Sequence, residues 1–295
     1  MKDSILQRSV ARIDHPNVQQ GMTDQHRVRP LVPPGSDPKT VDPFLLMMED
    51  WFPRGVFERH PHRGMETITY VIEGQLDHYD NYGHKGSLMA GDVQWMTAGR
   101  GIIHVEQPAE GTTVHLFQLW VNLPAADKMV EPRTQNLIGA DLPVRREPGA
   151  EIRVFSGKSG DVTSPTKNYA PVTMLEVRLA AGARVGQELP ADYNGFLVVL
   201  EGDGMIGSDQ SPVRAGDVVW LARTDGDGRS EVQIAGGTAP LRVLLFAGRP
   251  LREPVVARGP FVMNTEEQIR QANADYQAGR FEPRAGATST PHSKG

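Results

Sequence analysis

Residues 66–96, ETITYVIEGQLDHYDNYGHKGSLMAGDVQWM, decide the fold. They run from a β-branched and aromatic segment into Glu73-Gly74, cross a turn-like stretch, HYDNYGHKG, and return through Gly91-Asp92 to Val93-Gln94-Trp95-Met96. Short apolar runs punctuated by Gly, Asn and Asp read as strands joined by tight turns. The pattern then recurs: Glu201-Gly202 is followed by Gly216-Asp217-Val218-Val219-Trp220-Leu221, at an interval only three residues shorter. Gly-Asp before a strand is common turn chemistry, but the matched Trp and the matched Glu-Gly together point to duplication. The economical reading is two related β-domains, one per half.

Working outward, strands are predicted over 44–52, 66–73, 92–96, 113–121, 151–155, 172–179, 195–201, 217–221 and 241–247. Helical signal is sparse, so the class is all-β, a sandwich or barrel. One helix is predicted over 265–278. Thr265 caps it, Gln268 completes a capping box, and Glu266 and Glu267 sit where the helix dipole favours negative charge. Ile269, Ala272 and Tyr276 share one face, and Gly279 is a natural stop. Residues 282–295 read as a loose tail. The domains are placed at 1–140 and 141–295, the second carrying the helix, with the junction between Pro124 and Gly149.

At 295 residues the chain can bury two cores without a disulfide or a metal. It has no cysteine, which excludes disulfides, thiolate zinc sites, iron–sulfur clusters and a cysteine nucleophile. The N-terminus, MKDSILQRSVARIDHP, lacks a signal-peptide core, and no run approaches membrane-spanning length. A cytoplasmic, monomeric protein is the expectation. With 31 Lys and Arg against 36 Asp and Glu and no basic block, nucleic-acid binding has no support. The expected ligand is small.

Two short motifs carry chemistry. His60-Pro61-His62 and His104-Val105-Glu106 each put two metal-ligand side chains two residues apart, and on a strand such residues project from one face. Adjacent strands would bring together three imidazoles and a carboxylate, a set suited to one divalent transition metal with coordination positions to spare. Glu66 competes for the carboxylate place. Glu106 is in phase with His104, so it is favoured as ligand, with Glu66 either supporting the ligands from behind or on the substrate side; both are candidates for proton transfer.

Other residues have plainer readings. His78, His84 and His115 are read as surface or core histidines, and Asp77, Asp80 and Asn81 as turn-shapers. Trp95, Met96, Met65, Met48 and Phe57 are read as core before cavity lining. Gly99-Arg100-Gly101 reads as a plain turn or a mobile lip beside the metal, with Arg100 either exposed or orienting a substrate. The second half lacks an equivalent site. Eight of nine histidines lie at or before His115, and counting from the repeated glycines puts Glu188, Pro190 and Arg229 where His60, His62 and His104 stand.

The stretches HPHRGMETITYVIEGQLDH, GDVQWMTAGRGIIHVEQP and PLREPVVARGPFVMNTEEQIRQANADYQAGRF resemble the pirins, two-domain members of the cupin superfamily. The resemblance runs from about His15 to about Pro283. It implies two tandem cupin barrels, a bicupin, with one iron held in the first by His60, His62, His104 and Glu106 and no metal in the second. The general cupin pattern has a proline before its second histidine; Thr97 and the Gly99-Arg100-Gly101 insert depart from it in a pirin-like way. Iron(II) is the implied metal, with manganese, nickel, cobalt, copper and zinc as alternatives. The implied functions are a quercetin 2,3-dioxygenase acting on a flavonol with dioxygen, or an iron-dependent, redox-sensitive regulator that binds a transcription factor or metabolic enzyme.

Overall fold

In a computed structural model, which describes residues 5–224 and 228–283, the strands fall where the apolar runs place them. Phe44–Pro53, Met65–Glu73, Val93–Thr97, Thr113–Asn122, Ala150–Ser156, Val172–Leu179, Asn194–Glu201, Val218–Leu221 and Leu241–Gly248 match the nine predicted segments to within a residue or two. Between them run more polar strands that the apolar pattern does not reveal, among them His60–His62, Gln75–Asp80, Ile102–Pro108, Arg184–Pro190 and Arg229–Gly236. The helix spans Glu266–Gln277, with Thr265 and Gln268 forming the expected reciprocal box. Tyr276 shares the face of Ile269 and Ala272 and packs its ring on Phe261 and Phe281, although it stays 39 % exposed. Asp275 is also buried, where Arg63 and Arg280 both reach it. The 282–295 tail lies almost wholly outside the described residues. Among the described residues no helix is long and apolar enough to cross a membrane.

The chain forms two compact units, and a cut at 140/141 does not describe them. One comprises the chain up to Val18 with Arg29–Met48 and Leu137–Arg252; the other comprises Gln19–Val28, Glu49–Asn136 and the chain from Glu253. Strand pairing is the reason. Leu6–Gln7 pairs in parallel with Arg229–Gly236, and Val10–Asp14 pairs with Val218–Leu221. Arg8 fastens this N-terminal piece: its buried guanidinium donates to Ser230 Oγ and to the carbonyls of Pro190, Ala191 and Tyr193. The helix belongs to the other unit, where Phe261, Met263, Ile269, Ala272 and Phe281 pack as one cluster.

The duplication is visible in the sheets. One unit has a sheet in the order His60–His62, Ile102–Pro108, Gln75–Asp80, Lys85–Met89, and the other repeats it with Arg184–Pro190, Arg229–Gly236, Asp203–Ile206 and Ser211–Arg214. The repeated tryptophans take equivalent places, Trp95 opposite Ile68 and Trp220 opposite Phe196. In the second unit a contiguous apolar core fills the interior, including Val185, Leu189, Ile206, Val232 and Ile234.

Charged groups lock the segments around the first motif. Lys128 is fully buried, and its ammonium donates to the Gly64 and Val262 carbonyls and to Asn122 Oδ1 at 2.6–2.9 Å. Gly64 itself has φ +78°, and a Cβ there would stand 2.0 Å from the Val262 carbonyl oxygen, so only glycine lets the two backbones approach.

Candidate metal centre

The strands His60–His62 and Ile102–Pro108 run antiparallel, with His104 opposite His60 and Ile102 opposite His62. Along Ile102–Pro108 burial alternates strictly, which puts His104 and Glu106 on one inward face. The three imidazoles converge with ring centroids 4.5 Å apart for His60 and His104, 4.8 Å for His60 and His62, and 5.0 Å for His62 and His104. Their ligand nitrogens form a group able to hold a metal ion.

Hydrogen bonding decides which nitrogens are free to bind. His60 Nδ1 lies 2.7 Å from the Glu58 carbonyl, which can only accept, so His60 carries its proton on Nδ1 and exposes the Nε2 lone pair. That Nε2 faces His104 Nε2 at 3.1 Å. His62 is buried, and neither of its ring nitrogens has a hydrogen-bond partner; the backbone of Pro260 is near enough to favour the charged ring but is not in bonding geometry. A buried imidazole without partners costs stability unless a group absent from the polypeptide satisfies it. Protons are poor candidates for that role. Burial, aided by the nearness of His60, pushes His62 down to about 3, and burial with the neighbouring histidines holds His104 well below the usual imidazole range. A divalent cation fits the donor set: neutral imidazoles with lone pairs aimed inward and a carboxylate beside them.

The carboxylates separate. Glu106 is buried, accepts from Thr69 Oγ1 at 3.0 Å and Gln118 Nε2 at 2.8 Å, and groups with His104 and His78 rather than with all three of the other imidazoles. Glu66 lies in a different sheet, on Met65–Glu73 opposite Thr97, accepts from the Thr97 hydroxyl at 2.7 Å, and belongs to neither group. The departure from the cupin proline at Thr97 thus supplies a donor to Glu66.

Several residues stand elsewhere than their sequence reading places them. His78 is not a bystander: it is wholly buried opposite Glu106, with Nδ1 3.5 Å from His104 Nδ1 and Nε2 3.3 Å from Asp80 Oδ2. Nothing in its local sequence marks it, because the pairing of Gln75–Asp80 with Ile102–Pro108 brings it there. Trp120, equally unmarked, packs its ring edge-on to His62 at 5.2 Å. Arg100 is buried, not exposed, and does not await a substrate; it binds Glu131 and the carbonyls of Arg280 and Glu282. Gly99-Arg100-Gly101 is a fixed turn, held by backbone bonds to Gly64, Val130 and Ala98 and closed by Phe281 against Gly101. His84 and His115 pair with Asp80 and Glu49, away from the three imidazoles. Trp95, Met96 and Met65 are core, and Phe57 packs on Phe52 and His26.

The second unit's counterparts are not those obtained by counting. His78 stands opposite Glu106 as Ile206 stands opposite Ile234, and His60 stands opposite His104 as Gln187 stands opposite Val232. Gln187, Leu189, Val232 and Ile234 therefore occupy the places of His60, His62, His104 and Glu106. All four are buried, whereas Glu188, Pro190 and Arg229 point from the other face. A slip of one residue exchanges the faces of a strand.

Comparison with known proteins matches a family model to each half of the chain. The family model described as Pirin matches residues 26–121, and that described as Pirin C-terminal cupin domain matches 174–282. The chain is 43 % identical to Pirin-like protein 2 of Arabidopsis thaliana over 83 % of this chain and 77 % of that protein. It is 49 % identical to a Geobacillus kaustophilus protein of known crystal structure, with a TM-score of 0.83 over 85 % of this chain and 100 % of the other. It is 30 % identical to a quercetin 2,3-dioxygenase from Acinetobacter baumannii, with a TM-score of 0.81 over 93 % and 98 % of the two chains.

Proposed function

The chain belongs to the pirin family, and from that premise we propose that it is a mononuclear metal-dependent dioxygenase that opens a flavonol ring as a quercetin 2,3-dioxygenase does. The observation that carries the reading is the set of inward-facing imidazole nitrogens: Nε2 of His60 and His104 at 3.1 Å, with the unpartnered ring of His62 beside them. His60, His62, His104 and Glu106 are the ligands, and iron(II) is the preferred ion. Such a cation, when bound, supplies Lewis acidity toward the ketone and enol oxygens of a flavonol and a redox centre for dioxygen.

The chain's own residues do the rest. Gln118 and Thr69 fix the Glu106 carboxylate by donating to its two oxygens, so it meets the site in one orientation and can take the proton of the flavonol 3-hydroxyl. His62, His104, Glu106 and Glu66 are buried, which keeps bulk water from the reacting carbons. His60 alone of the ligand set is half-buried, so a planar substrate approaches from its side.

Protein loaded anaerobically with iron(II) is expected to bleach the absorption of quercetin when oxygen is admitted, with oxygen uptake equal to the flavonol consumed. Absence of turnover with iron and with each alternative metal, in protein shown to carry the ion, would overturn the reading. The carboxylates give a second test. Glu106→Gln should weaken metal retention more than Glu66→Gln, because a neutral amide is a poorer ligand for such a cation and Glu66 is committed to Thr97. Metal analysis after dialysis against a chelator reads the order, and the reverse order would exchange the two roles.

A further inference from the structure

We propose that His78 is a positioning residue for the metal centre: oriented by Asp80, it holds His104 in the one tautomer that presents Nε2 to the ion. The inference rests on the metal reading above and concerns a residue outside its ligand set. Asp80 Oδ2 can only accept, so the facing His78 Nε2 carries the proton, and a neutral His78 is left with a lone pair on Nδ1. That atom faces His104 Nδ1 at 3.5 Å, at the outer limit of a hydrogen bond, which makes His104 Nδ1 the donor and leaves Nε2 bare. With an ion bound, that atom and His60 Nε2, 3.1 Å apart, both offer lone pairs; without one, a proton is shared between them. Both rings are fully buried, so water does not compete for these atoms. A metal-bound imidazole whose far nitrogen donates to a fixed acceptor is held in both ring angle and tautomer.

Asp80 is itself firmly placed. Its Oδ1 accepts from the backbone of Tyr82 and His84, and its Oδ2 accepts from Thr134 Oγ1 and meets His84 Nδ1 as well as His78. Its neighbouring histidines hold its acid well below the usual carboxylate range, against the opposing effect of burial. The second unit supplies the contrast: where Leu189, Val232 and Ile234 replace His62, His104 and Glu106, the counterpart of His78 is Ile206.

The arrangement makes Asp80→Asn a selective test. The amide oxygen can keep the two backbone donors at the Oδ1 position, which turns the amide NH2 toward His78 Nε2. His78 must then accept there, donate from Nδ1, and force His104 to hold its proton on Nε2, where the metal would bind. Two-bond proton–nitrogen correlation spectra of the metal-free protein, with labelled histidine, should show His104 protonated on Nδ1 and His78 on Nε2, and Asp80→Asn should reverse both. Affinity for iron(II), measured by chelator competition, should fall about 10–100-fold in Asp80→Asn and in His78→Phe. A wild-type spectrum with His104 bare on Nδ1, or unchanged affinity in either variant with native circular dichroism, overturns the proposal. Should His78→Phe not fold, Asp80→Asn and the wild-type spectrum decide. A wild-type protein that binds no metal would defeat the metal reading instead, and the metal-free spectra keep the two failures apart.

Discussion

His62→Leu should abolish metal binding and at the same time make the metal-free protein more stable. His62 is buried with both ring nitrogens unpartnered, so in the absence of an ion it carries the desolvation cost of unmet polar atoms, about 1–3 kcal/mol. Leucine has nearly the volume of the ring and no polar atom, and the counterpart of His62 in the second unit is Leu189, itself part of an apolar core. The substitution recreates that solution in the first unit. Affinity for iron(II) should fall by more than about 100-fold, beyond the effect of disturbing a ligand's outer partner. Chelator competition reads the affinity, and urea denaturation of the metal-free forms reads the stability. A variant that keeps its metal removes His62 from the ligand set; one that is less stable without metal means the ring has partners that leucine cannot replace.

Lys128→Met should be the most destabilising of the substitutions considered, and its cost should grow with pH. Removal of the ammonium leaves three buried acceptors without a donor, Gly64 O, Val262 O and Asn122 Oδ1, at about 1–3 kcal/mol for a buried group left unpaired. Burial pushes Lys128 down to about 7, with Glu253 opposing. In the unfolded chain the amine titrates near 10.5, so between these values the unfolded state binds a proton that the folded state does not. Stability from this group therefore rises with pH from about 7 to about 10.5, by at most on the order of 5 kcal/mol, and below pH 7 the penalty is present in full. Methionine has no such dependence. The stability gap between wild type and variant should widen from pH 7 toward pH 10 in urea titrations. A gap that stays constant or narrows would mean that the three acceptors hold the amine charged in the fold across that range.

These two residues also mark what the sequence makes legible. Apolar runs separated by glycine turns carry local information, and the nine strands and the capped helix follow from them. His60, His62, His104 and Glu106 are legible because their spacing of two is a strand's own period. Residues whose role depends on which strand lies next door are not. His78 acquires its role from a register that sets it opposite Glu106, and Lys128 from acceptors as far away as Val262. Arg100 looks like a surface arginine in a glycine turn until the carbonyls of Arg280 and Glu282 are seen to surround it.

The interleaving of the units has the same origin. Leu6–Gln7 and Val10–Asp14 are short, little-buried strands, and their partners lie more than two hundred residues away. The duplication was readable from Glu-Gly and Gly-Asp-Val pairs. The faces of the second barrel were not, because the two copies differ in loop length and a residue miscounted by one lands on solvent. Glu188 and Pro190 answer the count, while Gln187 and Leu189 answer the pairing.

Equilibrium titration of metal-free protein with iron(II) under nitrogen, read against a competing chelator, tests the central claim most directly. Imidazoles gathered on an inward face in one unit, and Gln187, Leu189, Val232 and Ile234 in the same places of the other, predict a single equivalent of tightly bound metal per chain. No tight binding, or a second equivalent of similar affinity, would contradict it.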